Sequence, residues 1–248
     1  MRTFNKLIIL GSTLFVLGQS NAFSKTVEFS ADAVINIPQQ PAKHFKIFVG
    51  KQAVRREMSE NGQQIIEIVY PEQGRALLIN DQIRSFKERR FPAQSKEDNK
   101  TPCAQINNSI CEKLGTENID GIKTEKWQIV STEKGRKMRT LHWIDVKRKL
   151  ALREFFPDGS VSELKMIKKE KINERNAEKW ERTLSRPDGQ LVKSYQWYDN
   201  KLKIAIKENL PNGYSRELKN VKVGNQEDKL FELPAGYMQI DNRPAMRN

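Results

Sequence analysis

The sequence predicts a mainly β protein: a single curved antiparallel sheet forming a half-open β-barrel with a short helical or loop lid. Three observations predict it. Short β-branched and aromatic runs recur from residue 44 onward, separated by Gly, Pro and Asn. Residues 142–164, HWIDVKRKLALREFFPDGSVSEL, return 54 positions later as QWYDNKLKIAIKENLPNGYSREL, with 10 of 23 positions identical. Between the early runs and the repeated ones stands the one long stretch without alternation, residues 91–117.

In chain order, residues 1–22 come first. Arg2 and Lys6 precede the apolar run Leu7 to Leu17, and Ser20-Asn21-Ala22 supplies small residues where a signal peptidase cuts. This reads as a cleaved secretory signal peptide. The run is short for a membrane span, which leaves an anchor as the lesser alternative. Residues 23–248 are then read as a single β domain, long enough to bury a sizeable core.

Phe23 to Ala42, with Pro38 and Pro41, predicts one early strand and a turn. Strands are expected at 44–50, 52–59, 63–70, 75–80 and from Gln82. They are divided by Gly50-Lys51, Asn61-Gly62, the PEQG turn at 71–74 and Asn80-Asp81. Asn-Gly readily adopts the positive φ of a tight hairpin turn. Within 91–117 only Ser109 to Leu114 has the pattern for a turn or two of helix, and the segment is expected to serve as a lid or linker.

The repeat follows, as two meander units at about 120–170 and 173–224. Glu125-Lys126-Trp127 returns as Glu178-Lys179-Trp180, Trp143 and Asp145 as Trp197 and Asp199, and Pro157-x-Gly159 as Pro211-x-Gly213. Four strands per unit are expected, the clearest being the alternating Lys201 to Lys207 and its equivalent Lys149 to Arg153. Neither copy can bury its apolar face alone, so continuation of one sheet is the simplest outcome. A sheet of ten or more strands curls.

Charge and cysteines set the chemistry available. The net charge of +13 favours anionic partners, against a solvated mixed-charge surface as the plainer explanation. Cys103 and Cys111, close together in an exported chain, favour a disulfide. A metal pair is the alternative, but two ligands without a neighbouring His fall short of a zinc site. No cofactor is expected. His44 and His142 stand alone, and no nucleophile, metal or phosphate-loop motif is present. Asp145 and Asp199 read as strand ends before basic turns.

The candidate ligand-binding residues are therefore apolar side chains and nearby cations. Trp127, Trp143, Trp180 and Trp197 occupy matched positions and by symmetry should face one side of the sheet, either as core anchors or as the lining of a cavity. Arg55, Met58, Arg75, Leu77 and Ile79 place cations beside apolar strand residues, where an arginine could hold a phosphate or carboxylate. Arg55 and Arg56 must point to opposite faces, so at most one points inward.

Val54-Arg55-Arg56-Glu57-Met58, the PEQG turn, Trp143-Ile144-Asp145, Leu152-Arg153-Glu154 and the closing Phe231-Glu232-Leu233-Pro234-Ala235-Gly236-Tyr237 together resemble the LolA/LolB-like superfamily of periplasmic proteins. The resemblance spans most of residues 28–238. It implies a half-open barrel that takes an acyl chain into its interior, in a family of lipoprotein carriers and RseB-type envelope sensors. The expectation is a monomeric, periplasmic, non-enzymatic carrier or binding protein for a lipid, acyl chain or lipid-linked anion. An envelope regulator or assembly factor binding a protein partner is the alternative, and a glycan or lipid hydrolase a third. An anionic membrane surface is a further candidate partner. Nucleic acid is not, since the chain reads as exported and carries no recognised module.

Overall fold

Alternation governs the strands of the computed structural model, which describes residues 27–60, 62–93, 101–103, 109–133 and 135–240. The expected signal peptide lies outside the described residues, as do 94–100 and 104–108 of the expected lid. In β4 (Gln63–Tyr70), Ile66 and Ile68 are buried while the alternating Ile65, Glu67 and Val69 are half-buried. The period of two places successive side chains on opposite faces.

The first meander comprises β1 (Phe29–Asn36), β2 (Lys43–Val49), β3 (Val54–Glu60), β4, β5 (Arg75–Asn80) and β6 (Ser85–Arg90). The second comprises β7 (Ser109–Ile119), β8 (Ile122–Glu133), β9 (Arg136–Asp145), β10 (Ala151–Phe155), β11 (Val161–Ile172), β12 (Arg175–Ser185), β13 (Leu191–Asp199), β14 (Ile204–Asn209) and β15 (Ser215–Val223). A two-residue strand, β16 (Met238–Gln239), ends the described chain.

All sixteen belong to one sheet, ordered β16-β6-β5-β4-β3-β2-β1-β15-β14-β13-β12-β11-β10-β9-β8-β7. The two meanders join where β1 pairs with both β2 and β15. Every ladder is antiparallel except β16 on β6. Because β7 and β16 stand at opposite edges, the curved sheet does not close into a barrel. The helix expected at Ser109 to Leu114 is instead the start of β7, laddered to β8 from Ser109↔Ser131 onward. Pairing with a long neighbour decided the conformation of a segment whose local pattern was ambiguous.

The repeat is built from β8–β11 and β12–β15. Its corners are hairpin turns in which Gly159 and Gly213 take φ of +85° and +79°, and their amides donate to Phe156 O and Leu210 O. A side chain there would meet the steric cost of the left-handed region. The two alternating runs begin later as strands than their pattern suggests. Lys201 to Lys203 and Lys149 belong to turns, and β14 starts at Ile204 and β10 at Ala151.

The cause is the recurring aspartate. Asp145 Oδ1 accepts from the Lys147 and Arg148 amides at 2.7 and 3.1 Å, and Asp199 Oδ1 accepts from those of Lys201 and Leu202 at 2.8 and 3.0 Å. Each carboxylate thus holds the loop that follows it. Both are fully buried strand ends, and each has an arginine: Arg148 Nη1 donates to Asp145 at 2.9 Å, and Arg175 Nε to Asp199 at 2.5 Å.

Candidate functional site

Register sorts the predicted ligand-binding residues onto two faces. Across β3, β4 and β5, Arg55 opposes Ile68, Ile68 opposes Leu77, Ile66 opposes Ile79 and Tyr70 opposes Arg75. Arg55, Arg75, Leu77 and Ile79 therefore share one face. Met58, opposite Ile65, lies on the other. Arg56 shares that other face and pairs with Glu67, so the two adjacent arginines do point opposite ways.

The four tryptophans divide as well, correcting the expectation of a common side. Trp127 opposes His142, so Trp143 beside it projects the other way; Trp180 opposes Gln196, so Trp197 does the same. Trp197 packs with Ala33, Ile47 and Val49, the face of β1 and β2 that Met58 shares. The repeat matches tryptophans pairwise. Symmetry between units says nothing about two positions within one unit. All four are buried, and Trp180 packs with Leu152, Leu164 and Tyr198.

Ile66, Ile68, Leu77, Ile79 and Phe86 form an apolar floor, and the C-terminal segment lies on it. Phe231, Leu233 and Tyr237 pack against this cluster after a short 3-10 turn at Asp228–Phe231. Polar contacts fasten the segment at both ends. Arg55 Nη1 donates to Leu230 O at 2.9 Å while its Nε donates to Glu57 at 2.7 Å, and the Tyr70 hydroxyl donates to Phe231 O. Further on, Arg84 donates to Ala235 O, the Tyr237 hydroxyl donates to Asp81, and β16 pairs with β6.

Arg75 sits at the margin of this floor, its guanidinium 4.7 Å from the centre of the Tyr70 ring. Its Nε is buried with no hydrogen-bond partner among the described residues. Burial pushes the Tyr70 hydroxyl above its ordinary value, against the pull of the Arg75 charge, so Tyr70 stays a donor through the neutral range. Two cations and a phenol thus stand beside an apolar surface. That is the donor set an anionic head group needs.

No family model and no curated protein matches this sequence. Solved structures do match in fold. A LolA superfamily protein from Nitrosomonas europaea covers 88% of this chain and 96% of its own, at 10% identity and a TM-score of 0.38. A putative outer membrane lipoprotein-sorting protein domain from Vibrio parahaemolyticus covers 87% and 97%, at 8% identity and a TM-score of 0.36. The MucA/MucB complex from Pseudomonas aeruginosa matches over 86% of this chain and 57% of that one, at 10% identity and a TM-score of 0.35. Structural neighbours of this chain thus include LolA superfamily proteins.

Most of the remaining predicted groups find structural partners within the sheet. Cys103 and Cys111 form the expected disulfide, tying residues 101–103 to β7. His142 lies 2.9 Å from the Thr140 hydroxyl and 3.2 Å from Glu154, and His44 is exposed on β2. A cavity of about 360 Å³ opens beside the Asp199 loop, lined mainly by polar residues such as Lys169, Glu174, Asn176 and Lys201.

Sequence reasoning missed two features. One is that the FELPAGY segment covers the very floor to which Leu77 and Ile79 contribute. The other is a set of partners around the second tryptophan of each unit: Trp143 Nε1 donates to Glu117 at 2.7 Å and Trp197 Nε1 to Glu170 at 2.5 Å, with Lys126 and Lys179 over the rings. The offset of 53 already joins Glu117 to Glu170 and Lys126 to Lys179. That signal was present in the repeat.

Proposed function

We propose that this chain is an exported, non-enzymatic binding protein of the periplasm that takes an amphipathic anion with a fatty tail. The site is the floor of Ile66, Ile68, Leu77 and Ile79, with Arg55 and Arg75 at its margin. One observation carries the reading: the buried Nε of Arg75, without a hydrogen-bond partner among the described residues, stands beside an apolar surface covered by a short, largely irregular segment. The acyl chain supplies the affinity, at about 0.8 kcal/mol per methylene, or on the order of 12 kcal/mol for sixteen carbons before ordering costs. The arginines orient the head group. In the empty state Phe231, Leu233 and Tyr237 occupy the place of the chain and keep the floor from water.

Native mass spectrometry of protein purified from the envelope, with fluorescent fatty-acid uptake, tests this. The expected result is a co-purifying lipid mass, and uptake that Arg75→Ala weakens for a fatty acid but not for its methyl ester. A clean apo mass with no uptake by the wild-type protein overturns it.

A further inference from the structure

We infer that the β11 side of the repeat docks on an anionic bilayer surface through Met166 and Ile167. This does not depend on the acyl-binding reading.

The inference begins with a recurring irregularity. The β7–β8 ladder slips between Lys113 and Gly115, and the β11–β12 ladder slips between Met166 and Lys168, 53 residues later. Each bulge inserts one extra residue, and in both strands it is an exposed hydrophobe: Leu114 at 46% and Ile167 at 52%. A bulge re-aims a side chain out of the pleat. Core packing does not explain an apolar residue displayed this way twice.

The later bulge elaborates the device. Residues 165–169 are all exposed, which a strand embedded between two neighbours would not allow, and β10 pairs with β11 only as far as Glu163. Met166 opposes Trp180, Lys169 opposes Glu178 and Lys171 opposes Asn176, so Met166, Lys169 and Lys171 share a face. At the matching places β7 has Lys113, Thr116 and Asn118. Met166 is 45% exposed, and Lys169 and Lys171 have no ion pair among the described residues, whereas Lys168 reaches Glu170 at 2.7 Å.

Two exposed hydrophobes framed by unpaired lysines, on a chain of net charge +13, complement a surface that is negative outside and apolar beneath. Each lysine near an anionic leaflet adds a salt-sensitive attraction, and the buried side chains add a part that salt does not screen. Neither suffices alone. Together they give a reversible dock.

Sedimentation with vesicles of phosphatidylethanolamine and phosphatidylglycerol, against vesicles of phosphatidylcholine alone, tests the inference with the purified protein. Wild-type protein should bind the anionic vesicles and not the neutral ones. Lys169→Glu/Lys171→Glu should weaken binding at least about tenfold, and Met166→Ser/Ile167→Ser should remove the fraction that persists in high salt. Lys43→Glu/Lys46→Glu on β2, both exposed, changes the net charge equally and should cost much less. Equal loss in both lysine pairs would show a general charge effect and overturn the site. So would failure of the wild type to bind anionic vesicles. Sedimentation reads attachment to the vesicle surface and is probed at Met166, Ile167, Lys169 and Lys171, whereas fatty-acid uptake is read on a free fatty acid and probed at Arg75, so the two failures are distinct.

Discussion

The ammonium of Lys126 lies 4.8 Å from the centre of the Trp143 ring. Glu117 accepts from that indole and is itself 3.0 Å from Lys126, closing a triad across β7, β8 and β9. Across β11, β12 and β13, Glu170, Lys179 and Trp197 repeat it, with Lys207 also over the ring at 5.3 Å. Magnitudes say which member matters. Trp143→Ala or Trp197→Ala leaves a large cavity and should cost about 3–5 kcal/mol. Lys126→Met keeps the aliphatic cover and loses a partly exposed cation–π contact and a solvent-screened ion pair to Glu117, so urea titration should register about 1 kcal/mol or less.

Arg148 joins the units. Its Nη1 donates to Asp145 in its own turn, while Nε and Nη2 donate to Glu178 of the next unit at 2.8 and 3.0 Å. Arg148→Met leaves two largely buried carboxylates without their cation, a change that typically costs about 3–5 kcal/mol. Arg148→Met/Glu178→Gln should recover part of that loss. A double mutant no better than the single would show that Glu178 draws little from Arg148.

Acid should weaken the same joint. Burial opposes ionisation of Glu178, but the hydrogen bonds of Arg148 and Asn200 outweigh it and hold the carboxyl below the usual glutamate range. Glu154 behaves alike: burial raises it, and His142 and Arg182 bring it down further. Folded values below the unfolded value of about 4.3 mean that the stabilisation is fully present above that pH and disappears as pH falls through the folded values. Melting temperature should therefore drop steeply below about pH 4.3, and Arg148→Met should flatten that limb.

Each repeated loop carries a strained lysine. Lys149 and Lys203 sit at φ of +58° and +59°, where a side chain costs about 1–2 kcal/mol. Glycine removes that cost and adds roughly 0.5–1 kcal/mol of chain entropy on folding. The balance favours glycine, so Lys149→Gly and Lys203→Gly should each raise stability by up to about 1 kcal/mol. A fall in melting temperature would mean that the lysine side chains contribute more than the strain.

These loops also show how far the sequence could be read. Alternation located the strands of the first meander closely, because one half-wet sheet writes a period of two into the chain, and the repeat implied a single continuous sheet. It failed at Lys201 to Lys203. There apolar and cationic residues alternate, but buried Asp199 draws the amides into a turn, an effect invisible to a pattern of hydrophobicity. The two-sided placement of the tryptophans was legible only with register, since neighbours such as His142 and Trp143 look alike to composition. Leu77 and Ile79 were recognisable as apolar strand residues; that Phe231 would lie over their cluster was not, because that packing joins segments about 150 residues apart.

The fastening of that cover depends on Gly50. A Cβ built there would stand 2.6 and 2.7 Å from Phe231 Cε2 and Cζ, closer than real contacts allow. The aromatic ring belongs to the irregular segment and the glycine follows a strand, so the ring is the partner that moves. Gly50→Ala should therefore loosen residues 228–237 without unfolding the sheet, exposing them to limited proteolysis. Phe231→Ala reaches the same state by removing the ring, at a cost of up to about 3–5 kcal/mol. If the segment and the acyl chain compete for the floor, both variants should take up fluorescent fatty acid several-fold faster than wild type. Faster proteolysis with unchanged or slower uptake would show that the segment builds the floor instead of covering it.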